Sequence, residues 1–505
     1  MNHVNSRRGR GRLGPPANPR TLARPLVTVL ASVLTVVLAG CTTTAPFETR
    51  AAAEQVLLDL PSSWAAGTGT AETETAEATA EMLSDAPALG PLSNRLLDLV
   101  GDSQLQQLVL EALEANHDLR AAAYRLEASR RLLAETRAAR SPIVAAGYSA
   151  GRSNQGFDAF GGPRLETRHR VALDVSWEID LWRRIGDLHD ADASLASAQA
   201  ADLAAARDVL GARVVQAWVA AVALRQAIAV EEQRIQVLER LQTTITRRYR
   251  RGLGSLEDLA AARSGTELAR ATVAGLEDDL EQTHRALELL LGRVPRDELQ
   301  SADTLPAIAF GSPKVPATVL ARRPDVESAL WRLRAADASA AAAAKALLPR
   351  LQLRGELVRE AARAPDLASV TTLWSLLGAV TQPIFQRGLL RARADAGRLE
   401  LEAALEEYRG VVLRAVGEVE DALGRQRSLL RQRHHVDRAL GEAIRTSSVF
   451  ESRYRAGLAS ILELLQAENQ RLDIHRQLLA VNGEILSHRI TLALAVGAGF
   501  EELES

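Results

Sequence analysis

Two hydrophobic periods alternate along this chain. Across residues 104–140 the apolar positions Leu105, Leu108, Leu113, Leu119, Tyr124, Leu126 and Leu133 recur at mixed three- and four-residue steps. That spacing predicts one amphipathic helix, opened by Gly101-Asp102-Ser103 and ended by Pro142. The period then drops to two. In Val171–Leu181 the odd positions are Val171, Leu173, Val175, Trp177, Ile179 and Leu181, and the even ones Ala172, Asp174, Ser176, Glu178 and Asp180. Alternation over about ten residues is the length of one tilted membrane-barrel strand, although a water-soluble sheet gives the same pattern. The closing pair Trp177 and Trp182, in a chain with 6 tryptophans, tips the balance toward a membrane. Ile143–Arg152, with Tyr148, is a weaker strand, and the Gly-, Asn- and Phe-rich Ser153–Pro163 reads as an exposed hairpin loop.

No proline interrupts Arg183–Arg250, which predicts a helix about 100 Å long. Such a rod needs partners along its length, hence a coiled coil or helical barrel. Gly252-Leu253-Gly254 breaks it, and a second helix runs from Ser255 to about Leu291. The programme then repeats. A helix from Leu320 to Leu348 is ended by Pro349; strands follow at Leu351–Leu357 and Leu373–Phe385; a long helix covers Gly388–Arg455; Gly457 breaks it; and a last helix runs from Ser460 to Gly497.

The halves align at an offset of about 205 residues. Arg248-Tyr249-Arg250-Arg251-Gly252-Leu253-Gly254-Ser255 matches Arg453-Tyr454-Arg455-Ala456-Gly457-Leu458-Ala459-Ser460, and Pro142 matches Pro349. A shared octapeptide and the same change of period at matched places indicate a duplicated unit. Each chain thus offers about four strands, too few to close a barrel. Three chains would supply about 12, an even number wide enough to hold water.

Composition changes the picture at one end only. Hydrophobic residues reach 47% while aromatics are 4%, which suits thin helical seams better than compact globules. A formal net charge of −2 gives no bulk electrostatic case for nucleic acid. The single cysteine, Cys41, excludes an intrachain disulfide. It ends a signal-like segment: basic residues up to Arg24, an apolar run Leu26–Leu38, then Leu38-Ala39-Gly40-Cys41. The apolar run is short for a bilayer span. The ending looks like a bacterial lipobox, which implies a signal peptide over 1–40, lipidation of Cys41, and, with Thr42 following, export to the outer membrane. Residues 41–95 read as a lipidated, flexible tether, because Ala65–Ala80 holds almost nothing but Ala, Gly, Thr and Glu; Trp64 is placed to dock on the folded body.

The Arg-Tyr-x-x-Gly-x-x-Ser turns, Arg323-Pro324-Asp325, Gln382-Pro383-Ile384-Phe385 and the ending Ala495-Val496-Gly497-Ala498-Gly499-Phe500 resemble the TolC-type outer membrane efflux protein family, in its lipoprotein branch. Two departures are mild: Gln386-Arg387-Gly388 replaces the usual Asp-Gly-Gly, and Phe500 the final Trp. The resemblance implies a membrane α+β fold: a trimeric 12-stranded β-barrel, four strands per chain, continued by a long periplasmic α-helical barrel with an internal two-fold repeat. The repeats would span 96–293 and 320–500, joined by a linker at 294–319 and followed by a tail at 501–505. It implies no catalysis and no cofactor beyond the lipid on Cys41. The implied partners are two further copies of the chain, a periplasmic membrane-fusion adaptor, an inner-membrane RND pump and outer-membrane lipid. A type I protein-secretion duct and a pore-free coiled-coil scaffold are the alternatives.

On this resemblance the periplasmic gate falls at Leu462, matching the family's apolar ring, and at Gln466, where an aspartate is usual. Glu463, Glu257 and Asp258 are near enough to supply an acidic ring instead; solvated helix-surface positions are the bland reading. Gly252, Leu253, Gly254 and Ser255, with Gly457, Leu458, Ala459 and Ser460, are candidate adaptor contacts or plain helix connectors. Asp174, Glu178 and Asp180 would line the barrel lumen and favour cations. His434-His435 point about 100° apart on a helix with no third ligand evident, so no metal site is expected.

Overall fold

The computed structural model describes residues 49–58, 60, 102–157, 163–296, 299–306, 320, 322–364 and 367–497. The signal segment, Cys41, Trp64, the linker beyond 306, the tail and the hairpin tips lie outside them. In chain order the elements are α1 (Thr49–Leu58), α2 (Ser103–Ala115), α3 (His117–Ala138), β1 (Ile143–Phe157), β2 (Pro163–Ile179), α4 (Arg184–Arg250), α5 (Leu256–Leu290), α6 (Pro324–Lys345), β3 (Arg350–Ala364), β4 (Leu367–Thr381), α7 (Arg387–Arg455) and α8 (Ile461–Ala495).

The first predicted helix is two. Asn116 ends α2 and caps α3, its Oδ1 accepting from the Leu119 amide at 3.0 Å while its Nδ2 donates to the Leu290 carbonyl at 3.0 Å. The break lets the chain close on the end of α5, where a Cβ on Gly292 would sit 2.6 Å from the Ala115 carbonyl oxygen. Only the backbone can come that near.

The strands form one antiparallel sheet in the order β1-β2-β3-β4, so the middle pairing joins the two halves. They are longer than the sequence pattern predicts. Ser153–Phe157 continues β1, instead of forming a loop, and β2 begins at Pro163. The alternation fails there because both faces become polar: beyond Val171, the face that carries Leu173, Val175 and Trp177 goes on with His169, Arg359 and Arg363. At the other end β4 stops at Thr381, before Pro383, which has no amide to donate. Phe385 therefore lies beyond the strand, fully exposed.

Residues 49–58 correct the tether prediction. They form α1, whose Ala53 packs in a core with Val326 and Leu333 of α6 and Leu405 and Tyr408 of α7. A second core joins Leu105 and Val109 of α2 to Val215 and Trp218 of α4, Leu287 of α5 and Ile490 of α8. That core claims the most apolar stretch of α4, the one helix among the described residues apolar and long enough to pass for a membrane span. Both long helices, 67 and 69 residues, then extend about 100 Å with thin contacts. Their tip is held by Ile245, Leu259, Ala262, Ile461 and Leu464.

Candidate gate, docking turns and duct lining

At the far end of the rods each glycine turn is a Schellman motif. Gly252 has φ +70° and Gly457 φ +74°. The Gly252 amide donates to the Tyr249 carbonyl (2.9 Å) and Leu253 to Arg248 (2.9 Å); Gly457 donates to Tyr454 (3.0 Å) and Leu458 to Arg453 (2.8 Å). The octapeptide shared by the halves thus encodes one backbone shape. Its consequence is display: with the carbonyls satisfied locally, Leu253 and Leu458 are left 67% and 79% exposed, and Leu256 is exposed beside them.

The next residues start α5 and α8. Ser255 accepts from the Asp258 amide at 3.1 Å. Ser460 does the same for Glu463 at 3.3 Å, and Glu463 closes a capping box, its carboxylate accepting from the Ser460 amide and hydroxyl at 2.7 Å each. The hydroxyl and amide of Ser460 hold the Glu463 carboxyl below its ordinary pKa. The carboxylate is turned back to cap its own helix. Glu257 is exposed and Asp258 half-buried. Ile461 and Leu464 face the tip core, so Leu462, 44% exposed, and Gln466, one turn on, share the outward face of α8.

The sheet separates two chemistries. One face carries Val144, Tyr148, Leu173, Val175, Trp177, Leu353, Trp374 and Val380. The other carries Asp174, Glu178, Glu356 and Glu360 together with Arg168, Arg170 and Arg354; Leu373 and Leu377 of the edge strand β4 also fall there. Arg170 pairs with Glu356, and Arg168 with Glu166 (3.0 Å) and Glu360 (3.7 Å). Asp174, Glu178 and Asp180, the residues expected to line the lumen, have different surroundings. Asp174 lies on the charged face, in register with Glu356. Glu178 binds Arg184 at 2.8 Å. Asp180 lies past the end of β2 and accepts from the amides of Ile185 (3.0 Å) and Gly186 (2.7 Å), capping α4.

Two charged clusters had no spacing to reveal them. Between α4 and α8, Arg234 reaches Asp473 and the Asn469 carbonyl (3.2 Å), and the fully buried Glu231 lies 3.5 Å from Arg234 and 3.7 Å from Arg476. At the head of α6 the buried Arg323 donates to Asp325 (2.7 Å), Glu418 (2.6 Å) and the Ala495 carbonyl (3.0 Å). Burial works against the Asp325 carboxylate, but the Arg323 hydrogen bond and charge outweigh it and hold its pKa below the ordinary value. Asp325 lies inside the Arg-Pro-Asp motif, but the other two partners are 95 and 172 residues from Arg323 and the motif does not reveal them. His434 and His435 meet edge-on, ring centroids 5.4 Å apart, and no metal-ligand cluster occurs among the described residues.

Comparison with known proteins places these features. A family model described as outer membrane efflux protein matches residues 108–293 and 315–498. OpmQ of Pseudomonas putida, a pyoverdine export outer membrane protein, is 28% identical over 410 residues, covering 79% of this chain and 86% of that protein. The outer membrane protein OprJ of Pseudomonas aeruginosa is 30% identical over 415 residues, covering 79% and 85%. The solved outer-membrane channel OprN superposes with a TM-score of 0.73 at 26% identity, over 86% of this chain and 98% of that one.

Proposed function

The chain belongs to the outer membrane efflux protein family, and from that premise we propose how it serves as the exit duct of an efflux system in the outer membrane. The observation that carries the reading is a sheet with one apolar and one charged face, joined without interruption to rods of about 100 Å. A lipid-facing sheet cannot leave strand edges open, yet β1 and β4 have no further neighbour among the described residues. Three copies of the four-stranded sheet close 12 strands into a barrel, the charged face lining water and the apolar face meeting lipid. The rods continue the duct through the periplasm.

Transport through such a duct is passive. Its wall needs to be wet and charge-balanced, and the Arg–Glu pairs supply that. At the tip, threefold symmetry turns Leu462 and Gln466 into rings that narrow the resting pore. The glycine turns, with Leu253, Leu256 and Leu458 displayed, dock a periplasmic adaptor, and an RND-type pump in the inner membrane supplies the energy. Acyl chains on Cys41 tether the assembly to the outer membrane.

Purified protein in planar bilayers is expected to give discrete conductance steps and to run as heat-resistant trimers on gels. Folded trimers without conductance would overturn the duct. A cysteine at Ser255 or Ser460 is expected to crosslink to the adaptor; no adduct at either site would leave the turns as connectors.

A further inference from the structure

Within one chain the long helices lie in the order α5–α4–α8–α7, each packed along the next. α5 and α7 are the outer members, and each keeps a face that no helix of the same chain covers. On α5 Glu277, Asp278, Asp279 and Glu281 are all exposed, with no base among residues 277–281. On α7 Arg427, Arg431 and Arg438 are exposed on one face, with His434 and His435, while Arg433 lies toward Arg489 of α8. None of these arginines pairs with an acid among the described residues. Among the described residues Asp278 and Glu281 reach only Arg285 of their own helix, at 4.0 and 3.3 Å.

The two belts stand at one height. Counted from the glycine turns, residues 277–281 and 431–435 both lie roughly 35 Å up. The exposed Leu268 of α5 and Ile444 of α7 also match, roughly 20 Å up. The sheet repeats the geometry: β1 is the open edge of the half that holds α5, and β4 of the half that holds α7. A copy that pairs its β1 with β4 brings its α5 to α7.

We infer that the acidic belt of α5 docks on the basic belt of α7 in a second copy of this chain, and that this charge match sets the neighbour's register along the helical barrel. The inference rests on closure by copies, as in the duct reading. The belts also reject the wrong assembly. A two-fold pair would set α5 on α5 or α7 on α7, like charge on like, whereas the head-to-tail ring alternates sign at every seam. The seam inside the chain uses the same device, with Arg234 on Asp473 and Arg476 near Glu231.

The test uses the full chain in detergent, with trimers measured by native mass spectrometry. The Glu281→Cys/Arg431→Cys double variant, treated with a short bis-maleimide, is expected to give covalent dimers and trimers, and each single variant none. Glu281→Arg and Arg431→Glu are each expected to lose most of the trimer, and the double reversal to regain it. Trimers that do not crosslink, or a double reversal no better than the singles, would overturn the belt and leave the duct standing. A parent chain that forms no trimer would overturn both.

Discussion

The two glycine turns began as one motif and now differ in what they present. Their backbones are the same, with Gly252 and Gly457 at nearly equal φ and the same pair of hydrogen bonds closing each helix. Beyond the turn they part. The first half continues with Glu257 and Asp258 behind a lone serine cap, the second with Leu462 and Glu463 behind a closed capping box. The lesson is that a turn held by its own backbone fixes geometry and leaves the side chains after it free to specialise. Both turns leave leucines facing out, but the first follows them with free charge and the second turns its acid back onto the helix.

The largest expected effect separates the halves by function. Leu462→Ala should raise the single-channel conductance of the purified trimer several-fold, while Glu257→Ala, at the matching position, should change it little. Equal responses would erase the distinction.

The next prediction holds the turns to be alike. Neither glycine has an atom within 4 Å of where a Cβ would sit, so valine there costs only backbone strain. Gly252→Val and Gly457→Val should each weaken the local helix end by about 1–2 kcal/mol, measured by hydrogen exchange. A cost confined to one turn would break the likeness.

Smaller still is the difference in capping. Ser460→Ala should cost about 1 kcal/mol, and more than Ser255→Ala, because it also undoes the Glu463 bonds. The reverse order of protection in the first turns of α8 and α5 would contradict the capping box.

The least effect is one of pH. Bonds from Ser460 lower the folded pKa of Glu463, so its capping contribution is complete above the ordinary glutamate range. It is lost as the pH falls through the lower folded value. The start of α8 should fray there, and Glu463→Gln should remove that step from the exchange profile. A step that persists in the glutamine variant would assign the titration elsewhere.

Much of this was legible before any coordinates. The 3.6 and 2 periods are local, and Pro142 and Pro349 end the helices before them, so helices and strands follow from short windows of sequence. The strand ends were not legible, because alternation reports lipid contact and stops where the strands enter water. Nor was α1. Its short apolar pattern becomes a helix only against α6 and α7. Among the site residues, the glycine turns declared themselves through a repeated octapeptide, whereas Asp180 and Glu463 looked like free charges until the fold turned each back to cap a helix.

Sequence by itself determined the duplication, the rods, the turn geometry and the two-faced strands, since each rests on interactions a few residues long or on a repeated pattern. Only the tertiary structure decided that Arg323 joins Glu418 and the end of α8, and that Glu231 is sealed between α4 and α8. Those pairings join residues up to about 240 positions apart, and sequence spacing carries no information about which of two distant helix faces will meet.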